Sequence, residues 1–374
     1  MAGIYLHIPF CKQACNYCNF HFSTSLLYKE ELIQAIIKEI DLQKKFLEGE
    51  IIQTIYVGGG TPSLLQIEDC RLIFDKIRKE FKVVNEAEIT LEANPDDITK
   101  EKLFAWKEVG INRLSIGIQS FFEEDLKWMN RAHNSKQAVD SLQLAVSEFQ
   151  NISIDLIYGT PMLTDKMWQQ NIEMAISISI PHLSCYALTV EEKTPLHKQI
   201  LLNKKENVDA DKQARHFSQL MVALKREGYE HYEVSNFALP GFRSKHNSSY
   251  WQGEKYLGLG PSAHSYNGSV RKWNVANNNK YITAISKGYA ETETETLTEL
   301  QMLNEYIMIS LRTMEGMDLE LIARRWGAYK IEKMNKKLSL FTNNNLLVQQ
   351  SNTVHLTEEG MLLADGIAAD LFVL

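Results

Sequence analysis

In the first half of the chain six short apolar segments, at residues 4–8, 52–57, 88–93, 113–119, 152–158 and 182–189, alternate with longer stretches of helical period. Residues 29–47 are typical of these stretches. Leu32, Ile33, Ile36, Ile37 and Ile40 recur there at the spacing of one helix face, and similar periods run through 65–81 and 137–149. When a helix separates two strands it acts as a crossover, so successive strands lie parallel instead of folding back as hairpins. The pattern specifies an α/β fold built on a mostly parallel sheet or barrel of about six strand-helix units.

Alternation within the strands assigns their two faces. Ile4, Leu6 and Ile8, then Ile89 and Leu91, Leu114, Ile116 and Ile118, and Ile152, Ile154 and Leu156 would meet the helices. The opposite faces carry Tyr5 and His7, Glu92 and Asn94, Ser115 and Gln119, Ser153 and Asp155. A structural barrel interior is filled by branched apolar side chains, whereas carboxylates and amides placed there lose hydration that a polar ligand must replace. The lumen is therefore read as a ligand site; mutual pairing of these groups is the alternative.

From 191 to 296 the pattern loosens into one long helix, expected at 209–227, and aromatic-rich loops with few clear periods. Residues 297–374 read as a separate small domain. Helices are expected at 297–314 and 319–326, a hairpin at 346–356 turning near Asn352, and a final helix at 357–372. Helices followed by a hairpin suggest a winged-helix-like α+β module, which gives three units: 1–190, 191–296 and 297–374. Arg324, Arg325, Lys330, Lys333, Lys336 and Lys337 make the middle of the last unit basic, as a solvated helix face also would.

The chain as a whole carries 40 basic against 47 acidic residues, a formal charge of −7. That is the wrong sign for a surface that grips nucleic acid or anionic lipid throughout. No apolar run approaches the ~20 residues of a membrane helix, and the N-terminus lacks the basic-then-apolar layout of a secretory signal. A cytoplasmic location is expected.

Three of the five cysteines, Cys11, Cys15 and Cys18, fall directly after the first strand, while Cys70 and Cys185 stand apart and read as small buried apolar groups. An odd, clustered set points to metal or cofactor chemistry and away from a disulfide framework. Loops that follow barrel strands are also where such folds gather their chemistry. Zinc, with His7 or His21 as fourth ligand, satisfies the spacing; so does an iron–sulfur cluster that leaves one iron to an outside ligand. Gly58, Gly59 and Gly60 allow a ligand close to the backbone, and no Gly-Lys-Ser/Thr is present to make them a phosphate loop. Gly258-Leu-Gly-Pro-Ser-Ala263 imitates a dinucleotide fingerprint, but no strand is expected ahead of it and Pro261 interrupts it.

Cys-x-x-x-Cys-x-x-Cys at the start of an α/β chain resembles the signature of the radical S-adenosylmethionine (SAM) superfamily. Tyr5-Leu-His-Ile-Pro-Phe-Cys11, Gly58-Gly-Gly-Thr-Pro-Ser63, Leu91-Glu-Ala-Asn-Pro95, Ser115-Ile-Gly-Ile-Gln-Ser120 and Asp155-Leu-Ile-Tyr-Gly-Thr-Pro161 are similar, in order, to strand-end motifs of its oxygen-independent coproporphyrinogen oxidase branch. The similarity covers nearly the whole chain. It implies a partial (β/α)6 barrel with a 4Fe-4S cluster on Cys11, Cys15 and Cys18, completed by SAM and reduced by a donor such as flavodoxin or ferredoxin. Tyr5, Gly59, Gly60, Thr61 and Glu92 would then bind SAM, with Glu92 accepting from its ribose hydroxyls. Gln119, Arg131 and Asp155 would hold a second SAM or whatever fills that volume, and the 258–263 loop would lie near the adenine.

Two departures separate the chain from the oxidases of that branch. Phe20 stands where they carry a further cysteine, and only four residues precede Tyr5, where they possess an extension. With both differences the chain resembles the HemW haem chaperone family. His246-Asn-Ser-Ser-Tyr-Trp251 is similar to an element associated with haem in that family. The resemblance implies His246 as an axial haem ligand, with Tyr250 and Trp251 as flat apolar surface for the macrocycle. The function it implies is binding haem and passing it to an acceptor protein. The alternatives are coproporphyrinogen III dehydrogenation and a radical SAM reaction on RNA through the basic C-terminal module.

Overall fold

The computed structural model describes residues 2–373. Strands β1 (Ala2–Ile8), β2 (Ile52–Gly59), β3 (Val83–Ala93), β4 (Arg113–Gln119), β5 (Ile152–Tyr158) and β6 (His182–Ala187) lie side by side, each parallel to the next. Helices Lys29–Gln43, Ile67–Glu80, Lys100–Glu108, Ser135–Glu148 and Asp165–Ser177 make the crossovers, with a short extra helix, Glu123–Met129, before the fourth. Local chemistry starts them. Asn134 accepts from the backbone N–H of Gln137 while Gln137 returns the favour to Asn134, and Thr164 accepts from Met167. The strand faces divide as the alternation predicts, with Ile4, Leu6, Ile8, Leu114, Ile116 and Ile154 fully buried in the core that meets the crossover helices. Each such side chain contributes roughly 1.5–3 kcal/mol when it leaves water.

The sheet does not stop at six strands. Where loops were expected the chain adds β7 (Glu230–Glu233), β8 (Asn236–Ala238), β9 (Lys255–Leu259), β10 (His264–Tyr266), β11 (Val270–Asn274) and β12 (Thr292–Thr296), in the order β12-β11-β10-β9-β1-β2-β3-β4-β5-β6-β8-β7. β8 runs antiparallel to β6, and β9 parallel to β1 with Gly258 opposite Tyr5. These strands are three to five residues long and bind to edges already present, so tertiary pairing makes them where local pattern does not. The expectation that no strand precedes Gly258 is corrected by β9. Helix Ala210–Arg226 falls within the expected 209–227.

The C-terminal region carries helices Glu299–Leu311, Leu319–Trp326 and Ala328–Asn343, and a hairpin of Leu347–Gln350 with Thr353–Leu356 to which the short strand Met317–Asp318 adds. Leu303, Ile307, Ile322, Met334, Val354 and Leu371 form its own core. The helix at 328–343 escaped the pattern because Met334 and Leu338 are its only buried residues. The single helix expected at 357–372 is broken into Glu358–Met361 and Ala364–Leu371. Leu363, at φ −121° and ψ 19°, leaves the helical region, and the restart carries Ile367, Ala368 and Leu371 into that core. Among the described residues no helix is long and apolar enough to cross a membrane.

Candidate functional site

The loop after β1 begins at Pro9, and backbone bonds fix both of its ends. Cys11 N donates to Ser23 O at 3.0 Å and Ser23 N to Pro9 O at 2.7 Å. Its middle is tied to the segment after helix Glu123–Met129: Asn16 N donates to Met129 O (3.2 Å), Asn130 Nδ2 to Ala14 O (2.7 Å) and Gln13 Nε2 to Asn130 O (2.9 Å). Asn130 itself sits at φ +60°, a conformation asparagine adopts more readily than most residues. Cys11, Cys15 and Cys18 thereby line one cavity of about 510 Å³ at the C-terminal ends of the strands. Among the described residues no three His, Cys, Asp or Glu side chains are arranged to hold a single ion.

The same cavity collects Tyr5, Gly59, Gly60, Thr61, Glu92, Gln119, Arg131 and Asp155. Gly60 is sterically committed: a Cβ there would stand 2.6 Å from Phe10 O and 3.0 Å from Cys11 Sγ. Thr61 N donates to Phe10 O at 2.6 Å, so the glycine turn is buttoned onto the cysteine loop. Glu92 accepts from Tyr56 Oη (2.9 Å) and Gly59 N (3.1 Å), yet burial, and then the neighbouring Asp155 carboxylate, push it up to about 7. Burial likewise lifts Asp155 to about 6 against the pull of Arg113. Two carboxyls facing one cavity with raised pKa values are groups that a hydrogen-bond donor or cation would complete.

Arg131 is the organiser that spacing alone did not explain. Its Nη2 donates to Asn94 Oδ1 and Gly117 O, both at 2.8 Å, and its Nη1 to Cys15 Sγ at 3.3 Å. Gln119 sits at φ +65° where the β4–β5 register shifts, which turns its amide into the cavity. Tyr17, Gly117 and Tyr186 also line the space and were not singled out in the sequence. Tyr186 carries a signal, being the β6 residue opposite Ile157 on the neighbouring strand; the others do not.

The haem element lies elsewhere. Helix Lys245–Trp251 closes the opposite, N-terminal ends of β1–β3, where Glu88 Oε1 and Oε2 accept from His246 N (3.0 Å) and Lys245 N (3.2 Å). His246 is 1% exposed, its Nδ1 paired with Thr54 Oγ1 at 2.7 Å and its Nε2 with Tyr250 Oη at 2.8 Å. Burial and Arg113 lower its pKa to about 3, so the ring is neutral. Both ring nitrogens of His246 are hydrogen-bonded and the ring is enclosed, so an iron bound here would replace the bond to Tyr250. Tyr250 and Trp251 line a second cavity, and so do Ser262 and His264. The 258–263 loop is absent from the lining of the cysteine cavity, because Gly260 packs on His7 O, 2.4 Å from where a Cβ would stand. Cys70 and Cys185 are buried.

A parallel barrel core with three loop thiols at its C-terminal mouth is the architecture of radical SAM proteins. Residues 5–175 match the family model of the Radical SAM superfamily, and residues 297–363 that of the HemN C-terminal domain. The chain is 33% identical to the heme chaperone HemW of Bacillus subtilis over 371 residues, 98% of each chain. It is 32% identical to the heme chaperone HemW of Lactococcus lactis, covering 97% of this chain and 95% of that one. In three dimensions it is similar to HemN, the coproporphyrinogen III oxidase of Escherichia coli described as a radical SAM enzyme. The TM-score is 0.85 at 21% identity over 100% of this chain and 90% of that one, a likeness that shows the fold. The chain belongs to the HemW family of the radical SAM superfamily.

Proposed function

We propose that this protein is a haem chaperone of the radical SAM type, which binds a 4Fe-4S cluster and SAM and delivers haem to an acceptor protein. The observation that carries the proposal is the full-length kinship, 98% of both chains, with a protein named as a heme chaperone. Cys11, Cys15 and Cys18 would hold the cluster from one cavity wall. A cluster with three thiolate ligands leaves one iron free for SAM, and its reduction supplies the electron that radical SAM chemistry uses. Glu92 would accept from SAM's ribose hydroxyls, and Arg131 would keep Cys15 and the floor beside Asn94 in register. Phe20 lines both cavities and is 68% exposed, an apolar wall where a thiol would introduce a further ligand.

The test uses anaerobically reconstituted protein. Haem titration should give a saturable Soret band, and incubation with coproporphyrinogen III, SAM and reductant should leave the substrate unchanged. Formation of protoporphyrinogen IX would overturn the chaperone reading in favour of dehydrogenation, and absence of haem binding would remove it altogether.

A further inference from the structure

Beneath the cysteine cavity the lumen-facing side chains of β5 and β6 form a deeper polar layer. Ser153 lies opposite His182 and Asp155 opposite Ser184, so Asp155 in the cavity wall and Ser153 below it share one face of β5. Ser153 and His182 are fully enclosed, and Ser184 and Tyr232 of β7 are nearly so. His182 belongs neither to the cysteine loop nor to the cavity wall. Burial and the charge of Arg113 hold its pKa well below the usual histidine range, so the ring is neutral and carries one proton on its two nitrogens.

Both nitrogens are engaged, Nδ1 with Ser153 Oγ and Nε2 with Tyr232 Oη, each at 2.7 Å. Their neighbours set the direction of these bonds. Ser244 N donates to Tyr232 Oη at 3.4 Å, which fills a lone pair on the phenol and leaves its O–H for His182 Nε2. The imidazole proton then sits on Nδ1 and is donated to Ser153, whose hydroxyl lies 3.4 Å from Ser184 Oγ. Ser184 has one proton and two acceptors, Asn236 Oδ1 at 3.0 Å and the Asp155 carboxyl. An ionised carboxylate accepts more strongly than an amide. Donor therefore follows donor from Tyr232 to Asp155 without reversal. At the outer end Tyr232 lines a third cavity of about 370 Å³, with Arg243, Thr313, Glu315 and Asp318, where β7 meets the C-terminal domain.

We propose that Tyr232, His182, Ser153 and Ser184 form a proton relay that joins Asp155 to solvent in the third cavity when a ligand fills the cysteine cavity. In each transfer one O–H or N–H bond breaks as the next forms. Ser184 gives its proton to Asp155, Ser153 to Ser184, His182 Nδ1 to Ser153 and Tyr232 to His182 Nε2, while water in the third cavity reprotonates Tyr232. One proton enters and one arrives, and no group between keeps a charge, which suits an imidazole close to Arg113. The reverse transfer, when Asp155 ionises, restores the starting tautomer. The relay rests on the SAM-binding part of the proposed function. A filled cavity excludes water. Asp155, lifted to about 6 among Glu92, Arg113 and Arg131, then exchanges its proton only from below.

The experiment follows hydrogen–deuterium exchange of the Asp155 carboxyl by time-resolved infrared spectroscopy of the anaerobically reconstituted protein. Cluster loading is matched by electron paramagnetic resonance (EPR) and SAM occupancy by equilibrium dialysis, and the band is assigned by its loss in Asp155→Asn. Without SAM, wild type, Ser153→Ala and Tyr232→Phe should exchange equally fast through the open mouth. With SAM bound, the wild type should stay fast while Ser153→Ala and Tyr232→Phe slow by an order of magnitude. Ser153→Thr, which restores the hydroxyl, should recover the wild-type rate. Equal rates in all variants with SAM bound, or a wild type that slows with them, overturn the relay and leave the haem-chaperone reading in place. Failure of SAM to bind overturns the relay together with the SAM part of that reading.

Discussion

Glu92 provides the sharpest physical test of the cysteine cavity, because its environment opposes its charge while its neighbours await a partner. Its carboxyl is lifted from 4.5 to about 7. At about 1.4 kcal/mol per pKa unit that corresponds to about 3 kcal/mol between the two protonation states, trimmed to about 2–3 kcal/mol by water in the open cavity. The folded chain keeps the proton up to about pH 7, whereas the unfolded chain releases it near 4.5. Folding therefore takes up a proton between those values, and stability falls as pH rises through the window, by up to about 1.4 kcal/mol per pH unit. Below the window both states are protonated and the contribution is constant; above it the full cost is present. Glu92→Gln cannot titrate, so the difference in urea-unfolding free energy, mutant minus wild type, should climb by about 2–3 kcal/mol between pH 5 and pH 8. Taking the difference cancels the buried histidines, which titrate in both proteins. The exchanged hydrogen bond at Tyr56 or Gly59 moves only the intercept. Two parallel stability curves would refute the reasoning, since they would mean that Glu92 is not held protonated.

Three further outcomes follow from the same geometry. Cys11→Ala, Cys15→Ala and Cys18→Ala should each abolish the EPR signal of the dithionite-reduced, reconstituted protein while leaving far-ultraviolet circular dichroism unchanged. Arg131→Lys cannot serve Cys15, Asn94 and Gly117 at once, and losing charge-assisted bonds worth roughly 1.5–3 kcal/mol should weaken SAM binding at least ten-fold in equilibrium dialysis. His246→Ala strands the hydroxyls of Thr54 and Tyr250 in a buried position, so urea unfolding should show about 2–4 kcal/mol of lost stability, with the reduced-cluster signal retained.

What was legible in the sequence is whatever a strand states about itself. Arg113–Gln119 and Ile152–Tyr158 were readable to the residue because their alternation is internal, and the same alternation gave Glu92, Gln119 and Asp155 their inward direction. The strands at 255–259 and 264–266 hold no such statement. Lys255-Tyr-Leu-Gly-Leu259 becomes a strand because β1 offers an unpaired edge, and Gly258 fits only because nothing but hydrogen can face His264 O, 2.0 Å from a Cβ position. Arg131 was placed by resemblance, and its bonding role depends on three elements that meet only after folding. The alternative in which polar lumen groups satisfy each other has a physical basis too, since Arg131 with Asn94 and Tyr56 with Glu92 are such pairs. Burial raises both carboxyls despite that pairing.

At 246–251 helical geometry adds what the motif alone does not state. His246 and Tyr250 are four residues apart and therefore share one helix face, which the N-terminal ends of β1 and β2 cover. Trp251 follows ~100° around the axis; it lines the second cavity together with Tyr250, and Arg312 lies over its ring at 5.4 Å. A single short helix thus combines a histidine packed on the barrel floor with an aromatic end that lines a cavity, and a string of letters cannot tell the two apart. His246 is enclosed between two hydroxyls that fill its hydrogen-bonding capacity, so binding a metal there requires one of them to give way. Haem titration of His246→Ala at low temperature, where the folded fraction is restored, separates the two roles: binding that persists assigns His246 to the barrel floor, and binding that is lost assigns it to the iron.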